Sequence, residues 1–396
     1  MNAQPIRNMR IHFYGTQGSG STFPSREERR KIQKLMAYDL IRQIFQDLAR
    51  RTDKEGRLAQ TIEDILQGPI SKRALLAYLD TLRLSSARIY GGWTTCVRIE
   101  TRDGFDIIFD CGSGFRNCAR DLQTKWGRRE ERKLYIFGSH SHRDHTEGFD
   151  QAAVCFDPRN TLYVYGNRQF LRALDTHLGI FSRHVEESVR GVQTPIFYGL
   201  MPARFKACEI RDLEAQPAPL EKDSLVHQFH HMREPVRLGD TSVTAFEVCH
   251  PAPCFAYRIE NGGRTFVFCT DHELRHGTDP EDPRQQASLE AESRLIGYAA
   301  GADLMYRDGQ YLRIEYDGRK GIGSPSGVPR LDWGHSCIED VQAMAKNSRI
   351  KKTLVGHHDP NRDWAERNWI DESLARDYRE SGLSVELARA ETTVDL

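Results

Sequence analysis

The chain has 396 residues, enough for one large domain or two ordinary ones with a sizeable core. Its 56 basic residues balance 56 acidic ones, so no global field draws it to nucleic acid or to an anionic membrane, while a small anionic substrate stays open. It contains no apolar run long enough to span a bilayer and no secretory apolar core at its start, and its nine cysteines lack CxxC spacing. A cytoplasmic protein with reduced thiols and no membrane contact is expected.

Residues 9–14 alternate as a strand does, and 15–21 read as a tight loop. Between Ser25 and Ser86 the period turns helical. Ile32, Leu35, Met36, Leu40, Ile41, Ile44, Phe45 and Leu48 share one face, a second helix covers 60–66, and Ser71 caps a third that runs to Leu82. The apolar stripe within 28–51 fits core packing or a dimer face. Strand signals resume at 94–99 and 106–110 around an Asp103-Gly104 turn, followed by a helix over 115–126 and a strand over 133–137. Further strands are expected at 161–165, 241–248, 254–260, 264–269, 302–306 and 352–355, with helices at 168–177, 288–299 and 336–347. His227, His230 and His231 fall in a polar loop. Two strand-rich halves with interleaved helices predict a layered α/β sandwich.

Directly after strand 133–137 comes Ser139-His140-Ser141-His142-Arg143-Asp144-His145. Imidazole nitrogen and carboxylate oxygen are ligands for zinc and neighbouring divalent ions, and a sharp loop can turn alternate side chains toward one point. His140 and His142 share a parity and could grip one ion. Asp144 and His145, one step further round the loop, would face a second.

Joined by His250 in Cys249-His250-Pro251, Asp271 in Cys269-Thr270-Asp271, and His357 after the last apolar strand, this run resembles the five metal motifs of the metallo-β-lactamase superfamily, in order. More narrowly, Tyr14-Gly15-Thr16-Gln17-Gly18-Ser19, Tyr90-Gly91-Gly92-Trp93-Thr94-Thr95-Cys96, Trp333-Gly334-His335-Ser336 and Val355-Gly356-His357-His358-Asp359-Pro360 resemble its ribonuclease Z and phosphodiesterase branch. The resemblance implies an α/β fold, an αββα sandwich over 1–396, in which 25–86 is a helical insertion. It implies two divalent ions, zinc foremost with manganese or iron as alternatives. His140, His142 and His250 would hold the first ion, Asp144, His145 and His357 the second, and Asp271 would bridge.

Under that resemblance a metal-bound hydroxide, oriented by Asp144, attacks a small or cyclic nucleotide-like phosphodiester. His335 donates to a phosphoryl oxygen or protonates the leaving alkoxide, just before a helix capped by Ser336; alone, it reads as a surface histidine at a helix start. Asp110 orients a ligand histidine or caps a turn, and of the neighbours His357 and His358 either could ligate while the other supports it. The same site would also serve a carboxylic ester, lactone or thioester hydrolase, and a non-catalytic binding module is the third reading. Trp93 and His272 stand where the family pattern has asparagine and threonine. The lack of a long glycine- and proline-rich arm argues against tRNA or other nucleic acid as partner. Relatives of this branch often dimerise, which raises a homodimer as an expectation.

Overall fold

The structure, a computed structural model, describes residues 9–82, 90–219 and 223–396. It divides into two compact units, Pro24–Ile89 and the remainder, Met1–Phe23 with Tyr90–Leu396. In the first, α1 (Arg26–Arg50) starts on a capping box in which Ser25 and Glu28 satisfy each other's backbone amides. α2 (Ile62–Leu66) and α3 (Lys72–Thr81) follow, the latter capped by Ser71, and Tyr78 donates to Asp47 across 2.9 Å to tie α3 to α1. Of the stripe on α1, Ile32, Leu40, Ile44 and Leu48 are half-buried and Leu35, Met36, Ile41 and Phe45 exposed, and Leu66 is the one buried residue among the described residues of this unit.

The larger unit is built on two sheets. β1 (Arg10–Gly15), β2 (Cys96–Glu100), β3 (Asp106–Phe109), β4 (Arg132–Phe137), β5 (Asn160–Gly166), β6 (Arg204–Arg211) and β7 (Gln228–His231) lie side by side in that order. β8 (Val236–Leu238), β9 (Thr241–Val248), β10 (Cys254–Asn261), β11 (Arg264–Cys269), β12 (Leu304–Asp308), β13 (Thr353–Gly356) and β14 (Val385–Leu387) form the second sheet, and the last strand, β15 (Thr392–Asp395), returns to pair with β1.

The layering follows from two-residue alternation in the central strands. In β4, Leu134 and Ile136 turn to a core shared with α4 (Phe115–Trp126) and α5 (Arg168–Leu178), whereas Phe137 faces the opposite sheet. In β11, Phe266 and Phe268 face the first sheet. Val267 and Cys269 meet α6 (Pro283–Ala299) and Met344 of α8 (Ile338–Asn347), which follows the single turn α7 (Arg313–Tyr316). Phe109 lies 5.3 Å from Phe268 between the sheets. Strands buried on both faces need this continuous apolar content, and the result is an αββα sandwich.

His230 and His231 belong to β7, paired in parallel with β6, rather than to a loop; an edge strand of four residues is too short and too polar to announce itself. Ser336 is not the helix cap. Its hydroxyl donates to the His272 carbonyl at 2.6 Å, and α8 begins two residues later with Cys337 at the cap position. α9 (Trp364–Ser381), capped by Asp363, was not foreseen, because its apolar positions are sparse. All nine cysteines are free. No described helix is long and apolar enough to cross a membrane.

Candidate metal centre

Strands β3, β4, β11, β12 and β13 run parallel within their own sheets and end at Asp110, the 138–148 loop, Asp271, Asp308 and His357. β9, antiparallel to β10 and so aligned with β11, ends just before His250. Chemistry-bearing residues therefore collect at the carboxyl ends of six strands, where backbone groups are free of the ladder and loops can converge.

Asp271, buried, is the hub. Its Oδ2 lies 3.4 Å from His140 Nε2 and 3.8 Å from His250 Nε2, and its Oδ1 lies 3.3 Å from His145 Nε2 and 3.1 Å from His357 Nε2. His142 completes the first group, with Nδ1 3.2 Å from His250 Nε2. Asp144 completes the second, with Oδ2 3.2 Å from His145 Nε2 and 3.1 Å from His357 Nε2. Two donor clusters result, His140, His142, His250 and Asp271 on one side and Asp144, His145 and His357 on the other, each with ligand atoms within 4.8 Å of one another.

The second contacts of these residues fix their rotation. Asp110 accepts from His145 Nδ1 at 2.7 Å and from the Ser139 amide and hydroxyl, each at 2.7 Å. His140 Nδ1 lies 3.0 Å from Ser139 Oγ, His250 Nδ1 donates to the Gly334 carbonyl at 3.0 Å, and His357 Nδ1 meets Gln310 Oε1 at 3.1 Å. Each Nε2 is thereby left to face the centre. Both Asp110 and His357 hold left-handed backbone angles, φ +59° and +55°, a conformation that costs non-glycine residues energy and recurs at functional sites. Glycine is needed at Gly334, whose φ is +90° and where an added Cβ would fall 2.2 Å from His250 Nδ1.

The His357 backbone also decides between neighbours. With His357 turned inward, His358 points the other way, and its Nε2 donates to the Ala388 carbonyl at 2.7 Å. Its ring supports no ligand, contrary to the expectation from sequence. The His358 carbonyl instead accepts from the Gly18 amide at 2.9 Å and from the Gln17 side chain. The Ser19 amide donates to Asp144 Oδ2 at 2.8 Å, so the loop after β1 clasps two metal-site segments.

His335 reaches the same centre. Its ring stacks on His357 at 4.7 Å, and its Nδ1 donates to Asp308 Oδ2 at 2.9 Å. Burial opposes charge on His335, but Asp308, Asp271 and Asp144 outweigh it and carry its pKa up to about 9. Asp308, Gln310 and Glu273 were missed from sequence. Each is a single residue without spacing, although Asp308 follows an apolar strand as Asp110 does, and that signal was available. Glu273 accepts from the Asp332 and Gly334 amides at 2.9 and 2.8 Å and so holds the loop that carries His335.

Electrostatics match a cation site. Against the penalty of burial, neighbouring imidazoles hold Asp271 and Asp144 well below the carboxylate range. Burial and the His145 charge push His140 well below its ordinary value. His145 goes the opposite way: burial opposes its charge, yet Asp144, Asp271 and Asp110 raise it well above the histidine range. An ion taking His145 Nε2 must displace a proton, so ion affinity falls as the pH falls. The fit is supported by His140 Nε2 and His145 Nε2, which are buried and contact only the carboxylates without a well-formed hydrogen bond, an arrangement that a ligand at the centre would satisfy. Asp271, His335 and His357 form a third group that shares two residues with these clusters, whereas a separate one, His276, Cys337 and Asp340, is already filled by Arg313, whose Nη2 lies 2.6 Å from Asp340 Oδ1.

A profile described as the Beta-lactamase superfamily domain matches residues 106–358, which hold every residue of both donor clusters. The chain belongs to that superfamily. Among solved structures, Zn2+-bound PqqB from Methylobacterium extorquens superposes with a TM-score of 0.52 at 12% identity, covering 98% of this chain and 100% of its own. The metallo-β-lactamase fold protein YhfI from Bacillus subtilis matches at 0.47 and 12% over 98% and 100%, and human tRNase Z, short form, at 0.46 and 13% over 97% and 98%. These likenesses concern the fold. No curated protein matches the sequence.

His272, which departs from the family pattern, takes no part in the cluster of this superfamily member. It accepts from the Cys249 amide and meets Glu292 Oε2 at 2.9 Å, and Glu292 in turn pairs with the buried Arg307 at 2.7 Å.

Because Asp110 holds His145 by its second nitrogen, Asp110→Asn is expected to weaken metal affinity by about 10- to 100-fold. Competition with a fluorescent chelator measures this. Unchanged affinity would reduce Asp110 to a turn-capping role.

Proposed function

We propose that this chain is a dinuclear-metal phosphodiesterase acting on a small or cyclic nucleotide-like diester. One observation carries the reading: the carboxylate of Asp271 lies between two imidazole-rich clusters, with the His335–Asp308 pair alongside. His140, His142 and His250 would hold one ion, Asp144, His145 and His357 the other, and Asp271 both. Zinc suits this donor set best, and manganese or iron would also bind. Such ions supply Lewis acidity toward a substrate oxygen and acidify water near neutral pH.

The chain's own residues do the rest. Asp144, fixed by the Ser19 amide, orients the attacking water and accepts its proton. Asp308 favours the protonated form of His335 and holds its Nδ1, so its Nε2 can donate to a phosphoryl oxygen or to the departing alkoxide. Cleavage of a phosphodiester expels an alkoxide that needs a proton, and an imidazole held beside the centre by Asp308 can supply it or donate to a phosphoryl oxygen. The substrate is a small anion taken up without a membrane or a polynucleotide, in the cytoplasm.

Turnover of bis(p-nitrophenyl) phosphate before and after chelation tests the reading. Cleavage that disappears with chelator and returns with zinc or manganese is expected. Fully loaded protein that cleaves no phosphodiester, yet hydrolyses lactones or thioesters, would refute it.

A further inference from the structure

The loop that delivers His335 carries a second group whose chemistry is not used by the reaction. Arg330 lies against two aromatic rings, its Cζ 4.1 Å from the Trp333 centroid and 5.4 Å from that of Tyr311. Tyr311 in turn lies edge-on to the His335 ring at 6.0 Å. Arg330 is therefore two ring contacts from the residue placed at the phosphoryl group. Among the described residues its guanidinium pairs with no carboxylate. The other guanidinia near His250 differ: Arg275 pairs with Asp332 and Asp282, and Arg284 with Asp332 at 3.0 Å. Arg183 over Tyr198 and Arg190 over Phe197 each meet a single ring, on a segment that bears no ligand.

The backbone that carries this side chain is held by hydrogen bonds. The Arg330 amide donates to the Tyr316 carbonyl at 2.8 Å and its carbonyl accepts from Trp333 at 3.1 Å. Glu273 fixes the Asp332 and Gly334 amides, and Asp332 is in turn pinned by Arg275 and Arg284. A guanidinium stacked by its faces keeps its N–H edges outward, and little rotamer freedom is lost when those edges meet two oxygens of one anion. Trp333 itself remains half-exposed, at 49%.

We infer that Arg330, packed against Tyr311 and Trp333, is a binding site for a second anionic group of the substrate, a phosphate or carboxylate separate from the reacting phosphodiester. The site rests on the phosphodiesterase reading for its purpose but not for its detection. It selects a substrate with two anionic centres, and net neutrality of the chain makes such a local cation the means of recognition.

Calorimetric binding of nucleoside ligands to the zinc-loaded full chain tests this without turnover. A nucleoside 3′,5′-bisphosphate is expected to bind about tenfold more tightly than the 5′-monophosphate, the scale of one charge-assisted contact. In Arg330→Gln that preference should fall to about twofold or less, while the monophosphate affinity and zinc content stay unchanged. Arg319→Gln, an exposed arginine paired with Asp317, is the control and should keep the preference. A 5′-monophosphate bearing a 3′-linked carboxylate separates the two anion types: phosphate alone, or both, will show the gain. Absence of preference in the wild type, or its survival in Arg330→Gln, would overturn the inference. Preference without cleavage of any phosphodiester would instead sink the proposed reaction and leave the site standing.

Discussion

Asp271→Ala is expected to cut bound metal from about two ions per chain to one or fewer and to lower kcat/KM on a phosphodiester by on the order of 10³-fold or more. The reason is geometric. Asp271 alone offers one oxygen to each cluster, so its loss removes a donor from both sides and the negative charge between them. Of the remaining ligands, only Asp144 carries charge, and it belongs to the second cluster. Asp271→Asn keeps the shape but turns an amide nitrogen toward an imidazole, and should fail nearly as badly. Elemental analysis beside steady-state kinetics reads both quantities, with circular dichroism to show that β11 and its sheet persist. A variant that retains two ions and its activity would mean that the two clusters are independent and that Asp271 is not shared.

His335→Gln should act on a different step. Metal content and KM are expected to hold, while kcat falls by about 10²- to 10³-fold for a diester with an alkyl leaving group. With p-nitrophenolate, which departs without a proton, the fall should be under about tenfold. Asp308→Asn provides the sign. Of the carboxylates that raise the His335 pKa, Asp308 contributes most, so its loss lowers that pKa. Because the protonated form is the one that donates, the alkaline limb of the kcat profile should move to lower pH. Equal losses for both leaving groups, or an unmoved alkaline limb, would assign His335 to charge stabilisation or packing instead.

The candidate site was more legible than its support. His140, His142, Asp144 and His145 are written in one short loop, and local spacing survives translation into three dimensions because the loop is anchored by β4. His250, Asp271 and His357 were found by their order after strands. The supporting residues have no such grammar: Asp308 meets His335 and Glu273 meets Gly334 only because separate strands end on one edge. The choice between His357 and His358 turned on a left-handed backbone angle, which no spacing encodes. In the fold, doubly buried strands such as β4 and β11 were plain from continuous apolar runs, whereas β7 and β14, short and at the sheet edges, were not. The α1 stripe illustrates the converse: helical periodicity predicts the helix, but no residue of its apolar face is fully buried.

Elemental analysis of protein purified without chelators is the most direct measurement of the central claim. Close to two divalent ions per chain are expected, lost together on dialysis against chelator and at acid pH, with phosphodiester cleavage following their return. One tightly held ion would leave a mononuclear centre in which Asp271 serves a single cluster, and no metal at all would contradict the reading of these histidines as ligands.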